Sequence, residues 1–217
     1  MSNTMKRIVA SLVMLGILAL IVLLEYFGFH AVRWTAVIIA LGMITEMILA
    51  FIRAPHDLLK QKRNWLWFGS FAAWLIIVLL SAYHVGARPW MMLLLLMIIS
   101  AADIGAWFFG TWLGDDKMWE RLSPHKTWAG QIAGIICGTV ASVLYGMLGT
   151  DTFLPQLLWI GISISLLSQY GDLTASWVKR RLGLKDFGNI IPGHGGFLDR
   201  FDGWIYALPV VWFILMQ

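Results

Sequence analysis

Long apolar runs alternate with short polar stretches along most of the chain. The runs fall at Ile8–Phe27, Trp34–Ile52, Trp65–Tyr83, Trp90–Phe109, Trp128–Leu148 and Leu157–Val178, with a shorter one at Trp204–Met216. A helix needs roughly 20 apolar residues to cross a bilayer's hydrocarbon core. The first six runs are near that length, and the last crosses only with help from the residues before it or in thin bilayer. Lipid offers no water to unpaired backbone groups, so each run must be helical. The pattern predicts an all-α, polytopic integral membrane helix bundle of about seven transmembrane helices. It reads as a single membrane domain over residues 1–217, without internal repeats. Lys6 and Arg7 precede the first run as they would in a signal peptide. No small-residue cleavage site follows, so that run is expected to stay as a membrane helix.

Composition agrees with this pattern. Hydrophobic residues make up 59% of the chain and charged residues 13%, about half the charged share of a soluble domain. The net charge is +4, but the cations lie in the breaks between runs and no nucleic-acid motif accompanies them. Their distribution sets an orientation instead. All of the 16 lysines and arginines except Arg33 and Arg88 fall on the side of the N-terminus. Basic loops stay in the cytoplasm, so that side is expected to be cytoplasmic. Trp34, Trp65, Trp90, Trp128 and Trp204 stand at run ends, where indole rings favour the interface. The single cysteine, Cys137, lies in an apolar run and reads as a small packing residue.

Three acids interrupt the oil: Glu46, Asp103 and Asp172. An acid at such a position needs a partner, a proton or a wet cavity. Glu46 reads as an acid hydrogen-bonded between helices. Asp103 and Asp172 lie nearer the basic side and are expected to face a shared cavity. From Asp172 the chain runs on to Ser176, Lys179 and Arg180, at spacings that line one helix face. That face offers an acid, a hydroxyl and cations for a metal and a phosphate. The cluster Lys179–Arg180–Arg181 alone also suits a topology anchor.

The stretch KDFGNIIPGHGGFLDRFDG, residues 185–203, adds to this. Glycines around His194 let backbone N–H groups approach an anion. Asp199 and Asp202, three apart, offer hard oxygen ligands for Mg²⁺. Arg200 between them offers a bidentate phosphate donor. Together these residues point to phosphate-transfer chemistry at a membrane surface.

Ser176-x-x-Lys179-Arg180-x4-Lys185-Asp186, continuing through IPGHGG to Asp199-Arg200-x-Asp202, resembles the signature of the phosphatidate cytidylyltransferases, the CDP-diacylglycerol synthases. Asp103-x-Gly105-Ala106-x-x-x-Gly110 and Ser123-Pro124-x-Lys126-Thr127-Trp128-x-Gly130 are similar to two further stretches of that family. The resemblance covers residues 90–217 as a catalytic core, while 1–89 form N-terminal helices of general character. Three positions depart from the family pattern. Ala175 stands where a glutamate is usual, Trp107 replaces a tyrosine, and Ile104 replaces a common hydroxyl residue.

The resemblance implies an enzyme that joins CTP and phosphatidate into CDP-diacylglycerol and pyrophosphate with Mg²⁺. It implies a place in a bacterial inner membrane, with the active site cytoplasmic and membrane lipids around it, and a homodimer as the assembly. Under it, Asp172, Asp199 and Asp202 form the metal-binding group, around one or two cations. Lys179, Arg180, Lys185 and Arg200 hold phosphates. His194, Gly195 and Gly196 approach phosphate or pyrophosphate, and His194 equally suits a structural bond within its loop. Ser176 stands beside Asp172, and Asp186 orients a neighbouring cation. Ser123, Lys126 and Thr127 form a second wall. Two other readings stand beside this one: a CTP-dependent polyprenol or phytol kinase, and a transporter or non-catalytic homologue in which Glu46 and Asp103 mark an ion path.

Overall fold

The computed structural model describes residues 3–55, 62–120, 122–148, 154–188 and 195–216. Eight helices form among them: α1 Asn3–Tyr26, α2 Ala31–Arg53, α3 Lys62–Val85, α4 Pro89–Leu113, α5 Trp128–Met147, α6 Leu154–Arg181, α7 Phe197–Arg200 and α8 Trp204–Leu215. Four of them, α2, α3 from Asn64, α4 and α5, are long and apolar enough to cross a membrane. Shorter apolar stretches at Gly16–Tyr26 and Trp204–Leu215 underlie two more of the expected crossings. The remaining expected run, Leu157–Val178, lies in α6, which is not among those four and whose C-terminal turn is basic. The chain is an all-α polytopic membrane protein with one local exception. Lys117–Trp119 and Ser123–Thr127 pair antiparallel as strands β1 and β2, where the sequence suggested only a loop.

The chain divides into two compact units. The first comprises Met1–Pro89, Val178–Phe201 and Val211–Gln217. Here α2 packs against α1, α3 and the short α7. Its buried face is Ala36, Ala40, Met43, Glu46, Met47 and Ala50, the three-and-four spacing of one helical stripe. Glu25, near the end of α1, accepts the Val32 N–H at 2.9 Å and satisfies an orphan donor at the start of α2. Phe51 meets Trp65 and Phe68 edge to face, at 4.7 and 5.3 Å between centroids.

The second unit comprises Trp90–Trp177 and Asp202–Val210. Its helices approach closely because small residues face one another, as is usual where packing rather than the hydrophobic effect drives association in lipid. A methyl group on Gly105 would fall 2.6 Å from the Cys137 sulfur, so Cys137 fills that contact. Gly134 faces Ala102 and Gln169, and Gly138 faces Ser165. Ser142 donates to the Leu157 carbonyl at 2.8 Å, tying α5 to the start of α6.

Candidate active site

Within the second unit, Lys126 on β2 reaches the Asp172 carboxylate on α6 at 2.7 Å. Ser176, one turn further along α6, donates weakly to the other Asp172 oxygen at 3.4 Å. Asp103, exposed on α4, lies within electrostatic reach of both Asp172 and Lys126. The main chain at Asp202 packs directly against Gly171, the residue before Asp172, where a side chain would not fit. Asp202 itself accepts the Gly203 N–H at 2.8 Å. The unit therefore gathers Asp103, Lys126, Asp172, Ser176 and the backbone of Asp202.

Thr127 also has a structural role. It is buried, and its hydroxyl accepts the Gly130 N–H at 3.1 Å as the N-cap of α5. The loop expected to wall the site thus orients Lys126 through a strand ending in a helix cap. Ser123 begins that strand and is partly exposed.

In the first unit, α6 ends in a Schellman motif. The Leu184 N–H bonds the Lys179 carbonyl at 2.9 Å, and the Gly183 N–H bonds the Arg180 carbonyl at 3.2 Å. Gly183 has φ +69, the left-handed conformation this turn requires. Arg180 is exposed and its guanidinium caps the Leu184 carbonyl at 3.2 Å. The turn sends the chain to Phe187, whose ring is fully buried. Lys179 lies over that ring at 5.6 Å from its centroid and pairs with Asp199 at 2.8 Å.

Asp199 makes three contacts. One oxygen takes Lys179. The other accepts the backbone N–H groups of Phe187 at 2.9 Å and Gly196 at 3.1 Å. Gly195 has φ +87, and a side chain there would also fall against Asp199. Lys185, Asp186 and Arg200 are exposed. His194 lies outside the described residues.

Among the described residues, no three histidine, cysteine or acidic side chains gather as a metal site. The oxygen donors nonetheless suit a hard cation. A carboxylate has about four acceptor directions. Asp172 has ample capacity beyond Lys126 and its long contact with Ser176. Asp199 has one direction left.

Two features of the site were not visible from spacing. Phe187 anchors the turn and supplies an N–H to Asp199, with only its place after Lys185–Asp186 as a hint. Glu46 is hydrogen-bonded, but to the backbone of α7, 152 positions away. The Thr127 cap was also missed, though a threonine opening an apolar run is a helix-start signal that could have found it.

Fold and side chains together define a polytopic membrane protein with lysine–aspartate pairs on and beside one long helix. The whole chain, residues 1–217, matches the model of the Cytidylyltransferase family, and the chain belongs to that family. It is 40% identical over 122 residues to a phosphatidate cytidylyltransferase of Staphylococcus saprophyticus, covering 56% of this chain but 47% of that protein. It is 32% identical over 191 residues to the protein of that name from Staphylococcus epidermidis, covering 85% of this chain and 72% of the relative. The corresponding protein of Staphylococcus aureus is 33% identical over 195 residues, with 87% and 74% covered. The aligned stretch thus spans about half of the first relative's length and nearly three quarters of the other two.

Proposed function

We propose that the protein transfers CMP from CTP to phosphatidate, releasing pyrophosphate and leaving CDP-diacylglycerol in the membrane. The observation that carries this reading is the match of the entire chain to the cytidylyltransferase family, with relatives that bear the name of this activity.

The chemistry suits the residues. A phosphatidate oxygen attacks the α-phosphorus of CTP, a new P–O bond forms, and the bond to pyrophosphate breaks with its electron pair on the leaving group. The nucleophile is already an anion, so no strong base is needed. The barrier lies in bringing polyanions together and aligning them. Lys126 and Lys179 are held in fixed positions by Asp172 and Asp199 and supply preset positive charge. Arg180, Lys185 and Arg200 are exposed cations suited to phosphate oxygens. We assign the Mg²⁺-binding role to Asp172, Asp199 and Asp202; a bound divalent cation would neutralise charge on the nucleotide phosphates. Gly195 gives the backbone close access to phosphate, while the neighbouring Gly196 N–H is held by Asp199. The charge asymmetry of the loops supports a cytoplasmic active site in a bacterial inner membrane. A homodimer is the assembly we assign from the family resemblance.

The test is product analysis. Purified protein with CTP, Mg²⁺ and short-chain phosphatidate is expected to form CDP-diacylglycerol and pyrophosphate in equal amounts. Pyrophosphate without CDP-lipid, or CDP together with a phosphorylated alcohol, would reject the proposal.

A further inference from the structure

We infer that Glu46 is a positioning residue for this site, a wedge seated between Gly188 and Gly196 that holds Asp199 in place. The inference rests on the proposed reaction for its catalytic consequence and on geometry for the contact itself.

Glu46 lies in the middle of α2, within a span apolar enough to cross the membrane, and is 1% exposed. One of its oxygens accepts the Leu198 N–H at 2.8 Å. Gly196 is the N-cap of α7 and has no side chain with which to cap it. Glu46 supplies the missing acceptor from another helix. Its other oxygen accepts no hydrogen bond among the described residues. That oxygen is accounted for by shape. A side chain added at Gly188 would fall 2.6 Å from it, and one added at Gly196 would collide with both oxygens. At these two glycines, the three atoms nearest to an added methyl all belong to Glu46. The carboxylate therefore fills the space that the missing side chains leave at Gly188 and Gly196.

Two neighbouring contacts complete the grip. Gly42, one turn earlier on α2, seats the Phe197 ring, and a methyl there would fall 2.9 Å from it. Asp199 ties the same two segments by accepting the Phe187 and Gly196 N–H groups. Asp199 is thus clasped into register by an acid that touches none of the phosphate-binding side chains. Gly196 has φ −97, which any residue adopts, so its need to be glycine comes from Glu46 and not from the backbone.

That last point gives a clean experiment. Glu46→Ala, Gly196→Ala and the double variant are compared by steady-state kinetics for CTP and by amide exchange of the peptide covering 197–203. Each single change is expected to lower kcat about tenfold, with KM for CTP little changed, and to speed exchange of that peptide. The double variant is expected to be no worse than the weaker single, because the added methyl enters space the glutamate has vacated. Glu46→Gln keeps an acceptor of the same shape and is expected to recover most of the rate and protection. Multiplying defects, or a glutamine variant as poor as the alanine, would overturn the inference. If Gly196→Ala fails to fold, Gly188→Ala runs the same cycle. Wild-type protein without CMP transfer would reject the proposed reaction, while the exchange cycle still decides the wedge.

Discussion

Two lysine–aspartate pairs of nearly equal length sit in different surroundings, and that difference separates their roles. In the Lys126–Asp172 pair the carboxylate side chain is 38% exposed; in the Lys179–Asp199 pair it is 7% exposed. Exposed pairs contribute up to about 1 kcal/mol, whereas removing one partner of a buried pair costs about 3–5 kcal/mol. Asp199→Asn leaves a single acceptor oxygen for Lys179 and two backbone N–H groups. It is expected to lower the melting temperature in detergent clearly and to reduce CMP transfer by about 100-fold. Asp172→Asn is expected to reduce transfer comparably while melting within a degree or two of wild type. A normal melting temperature for Asp199→Asn would show that its three contacts are not structural. Ala175 is a second test at this scale. It stands where the family usually has a glutamate. Ala175 is completely enclosed, and overfilling such a position costs about 1–3 kcal/mol. Ala175→Glu is therefore expected to melt earlier and gain no activity.

At the scale of elements, the site depends on how strands and helices begin and end. Lys126 is aimed by β2, which stops at the Thr127 cap of α5. Lys179 is aimed by the last turn of α6, which stops at Gly183. Thr127→Val removes the cap and is expected to destabilise by about 1 kcal/mol, read as an earlier thermal transition. Gly183→Ala must hold a left-handed residue, at a cost of about 1–2 kcal/mol. It is expected to lower transfer more than Thr127→Val does, because the turn also places Phe187 for Asp199. The helices were legible because their apolar runs are long and bounded by tryptophan and charge. The hairpin was not, since its strands are short: KMW and SPHKT show no alternation that marks a strand. Glu46 was legible as an oddity but not as a wedge. Its partners are the backbone and two glycines, which leave no chemical signature in a sequence.

At the scale of the molecule, the loops' charge asymmetry makes a statement about sidedness. Lys185 and Arg88 are both exposed and belong to opposite sides in the expected topology. In a Cys137→Ala background, Lys185→Cys is expected to react with an impermeant maleimide only when the cytoplasmic face is accessible. Arg88→Cys is expected to react only from the other face. The reverse pattern would contradict the orientation. Sequence alone gave the family resemblance, because its signature residues are local and spaced in order. It did not show that residues 178–201 group with the first three helices and 202–210 with the later ones, since helix packing is set by side-chain shape over long separations. The central claim is CMP transfer to phosphatidate. Its most direct test is to follow separate phosphorus labels on CTP into the lipid extract of the reconstituted protein supplied with phosphatidate and Mg²⁺. Label on the α-phosphorus is expected in the lipid and label on the γ-phosphorus in pyrophosphate; γ-label in the lipid, or no label there at all, would contradict the account.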